Sequence, residues 1–218
     1  MSNAPLAELF AWADPWLSPL FTAWGVPVSQ LEVWAFVLSV AMVMFNLRIN
    51  PWGWPLAIVS SLLYGVLFAR SKLYGEASLQ LVFVALSCWG WWQWLWARDQ
   101  FNHALGPQSL GRQGRWFSLA AIVALWPLLG LLLDRATDSD LPYLDALPTS
   151  ASLLGQWLLG RKYIENWSTW LMVNIVSMAL FAHKGLWLTV ILYGLFALLS
   201  VAGWQQWRRH VAPKMQHG

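Results

Sequence analysis

Sliding this 218-residue chain against itself by 113 residues aligns 31–94 with 144–207 without a gap, and sixteen of the sixty-four aligned positions are identical. Composition alone would give roughly five. The identities cluster. Leu67-Phe68-Ala69 recurs as Leu180-Phe181-Ala182, and Ser87, Gly90, Trp91, Gln93 and Trp94 recur as Ser200, Gly203, Trp204, Gln206 and Trp207. Arg48 pairs with Arg161, Trp54 with Trp167, and the acids Glu32 and Asp145 fall at one position. The chain is a duplicated unit, and its fold is a question of how two like units meet.

Each unit is strongly apolar. The chain is 58% hydrophobic and 11% charged, with mean hydropathy +0.49, where a soluble domain carries about 25% charged residues. Apolar length predicts seven membrane spans near 31–47, 54–69, 76–97, 116–133, 144–160, 166–182 and 186–207. Residues 1–30 hold no basic residue, so they do not read as a signal peptide. Leu6, Leu9, Phe10, Trp12, Trp16, Leu20, Phe21 and Trp24, broken by Pro15, Pro19 and Pro27, suggest instead a helix lying in the membrane interface. The nineteen tryptophans exceed what a soluble core needs and point to membrane interfaces, a binding cavity or both. The single Cys88 excludes an intrachain disulfide and a cysteine-cluster zinc site.

Three helices per unit would leave two directly joined copies upside down relative to each other. The segment 116–133 has no counterpart in the repeat, and as a single linker helix it restores the direction. The expected architecture is all-α and integral to the membrane. It has a three-helix repeat at 31–97, a linker region at 98–143, a second repeat at 144–207 and a tail at 208–218. This 3+1+3 arrangement of parallel repeats is SWEET-like, with a solute site between the repeats near the midplane, although a purely structural bundle is also compatible with it. Lys and Arg number nine in the loops after odd spans and the tail, against four on the other side. The positive-inside rule then puts the N-terminus outside and the C-terminus in the cytoplasm. Scattered in this way, the basic residues set topology and do not form a nucleic-acid surface.

Polar residues inside spans mark the candidate site. Trp167, Trp170 and Asn174 fall at i, i+3 and i+7 of the sixth span and share a face. Asn174 lies roughly 12 Å into the bilayer, where an unsatisfied amide is costly. It needs a ligand or another helix. Gln80 in the third span and Tyr193 in the seventh occupy the same repeat position. Tyr64 and Ser61 can supply hydroxyls, and Asn166 adjoins Trp167. Trp94 shares a stripe with Gln80, Ser87 and Trp91; the duplicated Trp pairs are read first as packing, with Trp94 kept as a binding candidate. Two indoles flanking an amide suit a flat, polar, cationic ring.

Absences narrow the function. No Asp, Glu, Lys, Arg or His lies deep within a span, so proton coupling is not expected. There is no P-loop, H-E-x-x-H or G-x-S-x-G, so no enzyme is expected, and neither a metal nor a cofactor.

The run Glu165-Asn166-Trp167-Ser168-Thr169-Trp170 with Asn174, the Lys184-Gly185 turn, Tyr193, Asn50, Trp54, Ser60-Ser61, Tyr64, Tyr74-Gly75, Gln80 and Gly90-Trp91-Trp92-Gln93-Trp94 together resemble the PnuC vitamin-transporter family. The resemblance covers residues 30–207. It implies a bacterial inner-membrane carrier working by facilitated diffusion, with nicotinamide riboside as solute and thiamine or riboflavin as alternatives. It also implies that Trp167, Trp170, Asn174 and Gln80 hold the ring. Many relatives carry Asp where Asn174 stands. A non-transporting vitamin-binding subunit of a larger complex is the reading from another class. Lipid and small solute are the expected partners, and self-association is compatible with the fold.

Overall fold

The computed structural model describes residues 15–23, 25–70, 74–98, 103, 105–136, 142–183 and 187–211. The first part of the expected interfacial segment, Trp24, Lys72, the Lys184-Gly185 turn and the end of the tail lie outside the described residues. A hairpin of β1 (Pro19–Ala23) and β2 (Val26–Ser29) precedes seven helices. They are α1 (Gln30–Leu47), α2 (Gly53–Arg70), α3 (Tyr74–Trp96), α4 (Arg112–Ala136), α5 (Pro142–Gly160), α6 (Glu165–His183) and α7 (Trp187–Arg208).

Within residues 19–29 a hairpin stands where the sequence suggested an interfacial helix, while residues 1–14 of that segment lie outside the described residues. Phe21 stands opposite Val28 and Thr22 opposite Pro27, with the turn at Gly25, whose φ is 82°. Pro19 and Pro27 remove amide donors that a helix would need, and glycine accepts the positive φ without steric cost. The helix bounds otherwise follow the apolar spans to within a few residues. The exception is α4, which begins four residues before the expected span because Arg112-Gln113-Gly114-Arg115 forms a polar first turn.

Duplication is visible in the backbone. Shifted by 113 residues, α1 lands on 143–160 of α5 and α2 on 166–183 of α6. Ile49 after α1 and Lys162 after α5 occupy that same shifted position, and both adopt left-handed backbone, φ 56° and 57°. Such φ values are uncommon outside glycine, so this is one turn used twice. Packing repeats likewise: α2 lies on α3 as α6 lies on α7, and α3 meets α5 as α7 meets α1. Helix α4 packs chiefly on α5, where Trp126 Nε1 donates to the Tyr143 carbonyl at 2.6 Å.

The outside of the bundle is its apolar side. Phe117, Val123 and Leu128 of α4 are 75%, 58% and 64% exposed. Among the described residues four helical stretches, 30–47, 53–70, 112–135 and 190–208, are long and apolar enough to cross a membrane. Helices α3, α5 and α6 carry more polar side chains, and several of these face inward, as shown below. An apolar exterior around a polar interior belongs to a chain that lives in lipid.

The best-buried apolar cluster gathers four indoles. Trp54 meets Trp94 edge to face at 5.6 Å and 83°, and Trp167 meets Trp207 at 5.6 Å and 84°. Trp94 and Trp207 join the two pairs at 6.0 Å. Gly90 lies under the Trp54 ring and Gly203 under the Trp167 ring, so close that a Cβ at either would overlap the indole. The ends of α1, α3, α5 and α7 and the starts of α2 and α6 all meet around this cluster.

Candidate functional site

Above the indole cluster a cavity of about 250 Å³ opens among six helices, all but α4. Eight of the nine candidate residues line it: Ser61 and Tyr64 from α2, Gln80 from α3, Asn166, Trp167, Trp170 and Asn174 from α6, and Tyr193 from α7. Trp94 does not. It is buried within the indole cluster, and its Nε1 donates to the Leu159 carbonyl at 3.0 Å. The packing reading holds for this Trp, whose N–H is spent on tying α3 to α5.

The walls of the cavity are held by hydrogen bonds between helices. Asn174 Nδ2 donates to Ser200 Oγ at 3.3 Å, and Ser200 donates on to the Phe196 carbonyl. Asn174 therefore joins α6 to α7 as well as lining the cavity. In the other unit Gln156 Nε2 donates to Ser87 Oγ at 3.1 Å. Ser87 and Ser200 occupy one repeat position, so each is reached by an amide from a neighbouring helix. Ser39 and Ser60 hydroxyls meet at 2.6 Å between α1 and α2. The Trp170 indole lies against Gly155 of α5, where a Cβ would sit 3.2 Å from Cε2.

Some of the lining polar atoms have no partner. Asn166 Nδ2 donates to the Tyr163 carbonyl, yet its Oδ1 is buried and unpaired. Asn46 Nδ2 reaches Met42 Sδ, and its Oδ1 is also buried and unpaired. Trp167 Nε1 is a buried donor without an acceptor. Buried polar groups are nearly always satisfied; these three are enclosed by protein rather than open to the cavity, Asn46 Oδ1 lying against Gly53, and Trp54 Nε1, outside the lining, is another of the kind. No Asp, Glu, Lys, Arg or His is among the described residues that line the cavity.

Asn46, Gln156, Ser39 and Ser152 were not among the residues picked from sequence. All four lie in the first helix of a unit, α1 or α5, and line the cavity. An amide inside an otherwise apolar span is itself a cue, and Asn46 and Gln156 carried it.

Glu165, which opens α6 one residue before Asn166, does not line the cavity. Its carboxylate accepts from Ser109 Oγ at 3.0 Å and from the Leu110 amide, and it pairs with Arg115 of α4 at 3.1 Å. Gln108 completes this seam: its amide donates to the Lys162 carbonyl and its carbonyl accepts from the Ile164 amide, both at 2.9 Å. Lys162 is buried in the turn between α5 and α6. Its Nζ donates to the Leu105 carbonyl at 2.7 Å and lies 4.9 Å from the centre of the Trp94 ring. Burial, and then Arg98, push its pKa below the usual lysine value. The loop between α3 and α4 is thereby fastened under the indole cluster.

The family described as nicotinamide mononucleotide transporter matches residues 29–209, the whole of the helical bundle. The chain belongs to that family. Among curated relatives of this transporter, the nicotinamide riboside transporter PnuC of Escherichia coli is 22% identical, over 69% of this chain and 73% of its own. PnuC of Neisseria mucosa is 25% identical, over 85% and 74%. The riboflavin/roseoflavin transporter RibM of Streptomyces davaonensis is 27% identical, over 78% and 81%. A crystal structure of the vitamin B3 transporter PnuC superposes with a TM-score of 0.67 at 24% identity, covering 82% of this chain and 80% of that one. The fold is shared. The family and these neighbours are transporters, not enzymes.

Proposed function

We propose that this membrane transporter carries nicotinamide riboside by uniport, through the cavity between its two repeats. The observation that carries the reading is a described lining of indoles, amides and hydroxyls that holds no carboxylate, imidazole, lysine or arginine. The pyridinium is a flat cation suited to the indole face of Trp170 and the rim of Trp167. Gln80 offers an amide, and Ser61, Tyr64 and Tyr193 offer hydroxyls, to the carboxamide and ribose. A phosphate would bring about −1.5 to −2 charges into a cavity with no Lys or Arg to meet it. That favours the nucleoside over the nucleotide. The absence of Asp, Glu, Lys, Arg and His from the described lining, whose titratable groups are the Tyr64 and Tyr193 phenols, favours uniport over proton coupling.

The repeated packing and the common ending of α1, α3, α5 and α7 support a 3+1+3 parallel-repeat arrangement. The count of basic residues supports placing the indole-cluster end in the cytoplasm of a bacterial inner membrane. The indole cluster then closes the cytoplasmic end of the cavity.

Riboflavin is the second reading, since a relative named for it is 27% identical. A cavity of about 250 Å³ suits one ring and a ribose better than three fused rings. Calorimetric titration of purified protein with nicotinamide riboside, its mononucleotide, thiamine and riboflavin tests this. Tightest binding of nicotinamide riboside and none of the mononucleotide is expected; preferred binding of any other would overturn the assignment. Counterflow of labelled solute in proteoliposomes separates a carrier from a binding subunit, which gives no exchange.

A further inference from the structure

The Trp170 indole has its place because α5 is bare beneath it. Ser152, Gln156 and Leu159 of α5 line the cavity, and Gly155 falls on the same helical face but does not. It is buried instead. A Cβ there would stand 3.2 Å from Trp170 Cε2, 3.3 Å from its Nε1 and 3.4 Å from Thr169 Cγ2. The indole thus occupies the part of the wall that a side chain at 155 would hold. The other repeat fills this position in reverse. Shifted by 113 residues, Gly155 becomes Met42 and Trp170 becomes Ala57, and both of these line the cavity. There the unit's first helix supplies the bulk and its second helix the room.

Both helices are tied close to this contact. Gln156, next to Gly155, donates to Ser87 of α3, and the Leu159 carbonyl accepts from Trp94. Asn174 ties α6 to α7, and Glu165 fastens its start to Ser109. Thr169 is held by its own bond to the Glu165 carbonyl. The group left to move is the indole, which is only partly buried and borders the cavity. We infer that Gly155 is a positioning residue for solute binding. By presenting no side chain it lets the Trp170 indole sit back against α5, and so sets how much of the cavity is left for the ring of a solute. Any side chain at 155 drives the indole forward into that space. The competing account is a glycine kept only for close packing of α5 on α6. The inference rests on the cavity being the solute site, but half of its test needs no solute.

The test is a double-mutant cycle of Gly155→Ala with Trp170→Phe, in which the smaller ring relieves the crowding. In the solute-free protein Gly155→Ala alone should lower the melting temperature by about 2 °C or more, the mark of overpacking. In the Trp170→Phe background the same change should leave the melting temperature alone or raise it, because alanine is the better helix former. With nicotinamide riboside as the probe, Gly155→Ala alone should weaken binding about fivefold or more. Added to Trp170→Phe it should cost no more than about twofold. Where Trp170→Phe binds too weakly to titrate, the melting cycle and the loss in Gly155→Ala decide together. An equal cost in both backgrounds would overturn the proposal, since the indole would then not be the crowded group. So would the expected melting cycle with wild-type affinity in Gly155→Ala, which leaves the glycine as packing only. If Gly155→Ala does not fold, the double variant should, and failure of both would also overturn it. If nicotinamide riboside does not bind the wild-type protein, the substrate reading fails, and whichever of thiamine and riboflavin binds serves as the probe in the same cycle.

Discussion

Trp207 Nε1 donates to the backbone carbonyl of Asn46 at 3.0 Å, across 161 residues of sequence. Its repeat counterpart, Trp94, donates to Leu159, the counterpart of Asn46, at the same distance. Each acceptor is a carbonyl in the last turn of a helix, where intrahelical partners run out. Each already accepts from the amide of the left-handed residue three places on, Ile49 or Lys162. The two indoles thus staple each unit's third helix to the first helix of the other.

Replacing either indole by phenylalanine keeps most of the apolar bulk and deletes the donor. Trp207→Phe and Trp94→Phe are each expected to cost about 1 kcal/mol of stability, and to do so equally. The pair touches, so the double variant need not be additive. Thermal unfolding in detergent measures this; unequal losses would show that the two staples are not equivalent.

Gly90→Ala and Gly203→Ala put the same methyl under two equivalent indoles, with different consequences. Overpacking of this kind costs about 1–3 kcal/mol. Trp54 does not line the cavity and Trp167 does. Both variants should melt earlier, but only Gly203→Ala should also weaken solute binding, by displacing Trp167. Titration beside melting curves checks the split.

Trp170→Ala should weaken binding more than Trp204→Ala. The first indole lines the cavity, whereas the second is 40% exposed, with Arg208 lying over its ring at 5.3 Å. Equal losses of affinity in the two purified variants would contradict the assignment.

Asn174→Leu removes both the lining amide and the bond to Ser200. A loss on the order of 1–3 kcal/mol, roughly five- to 150-fold in affinity, is expected. Asn174→Asp should retain binding, since a carboxylate attracts a pyridinium, and the lost donation to Ser200 is made good if the Ser200 hydroxyl turns from the Phe196 carbonyl to the carboxylate. Wild-type affinity in Asn174→Leu would reduce this amide to a link between helices.

Collapsing the proton gradient across vesicles that lack a trapping kinase should leave uptake unchanged. The reason is that the described cavity lining holds no Asp, Glu, Lys, Arg or His. Accumulation that follows the gradient would reveal a coupling group elsewhere.

The frame of this fold was legible because duplication writes it twice. Gly90 with Gly203 and Trp94 with Trp207 are identities that need no structure to find, and apolar length placed the helices they sit on. The cavity was legible where polarity interrupts the middle of a span, as at Asn174 and Gln80. Asn46 and Gln156 were passed over because they stand near the ends of their helices, where a polar residue beside Phe45 or Trp157 reads as the membrane boundary. Trp94 misled because a stripe of spacing cannot tell an indole facing a cavity from one facing a neighbouring helix. The hairpin was missed because a short ribbon and a broken interfacial helix use the same mixture of proline and aromatic residues.

The frame kept its two-fold likeness while the lining kept it only in part, at Ser39 with Ser152, Phe83 with Phe196 and Ser87 with Ser200. Trp170 corresponds to Ala57, Asn166 to Gly53, Gln80 to Tyr193 and Asn46 to Leu159, and all but Gly53 line the one cavity. Where one copy supplies bulk or an amide, the other supplies room or a different group. A solute turned end for end would therefore meet a different surface, so the chamber distinguishes head from tail.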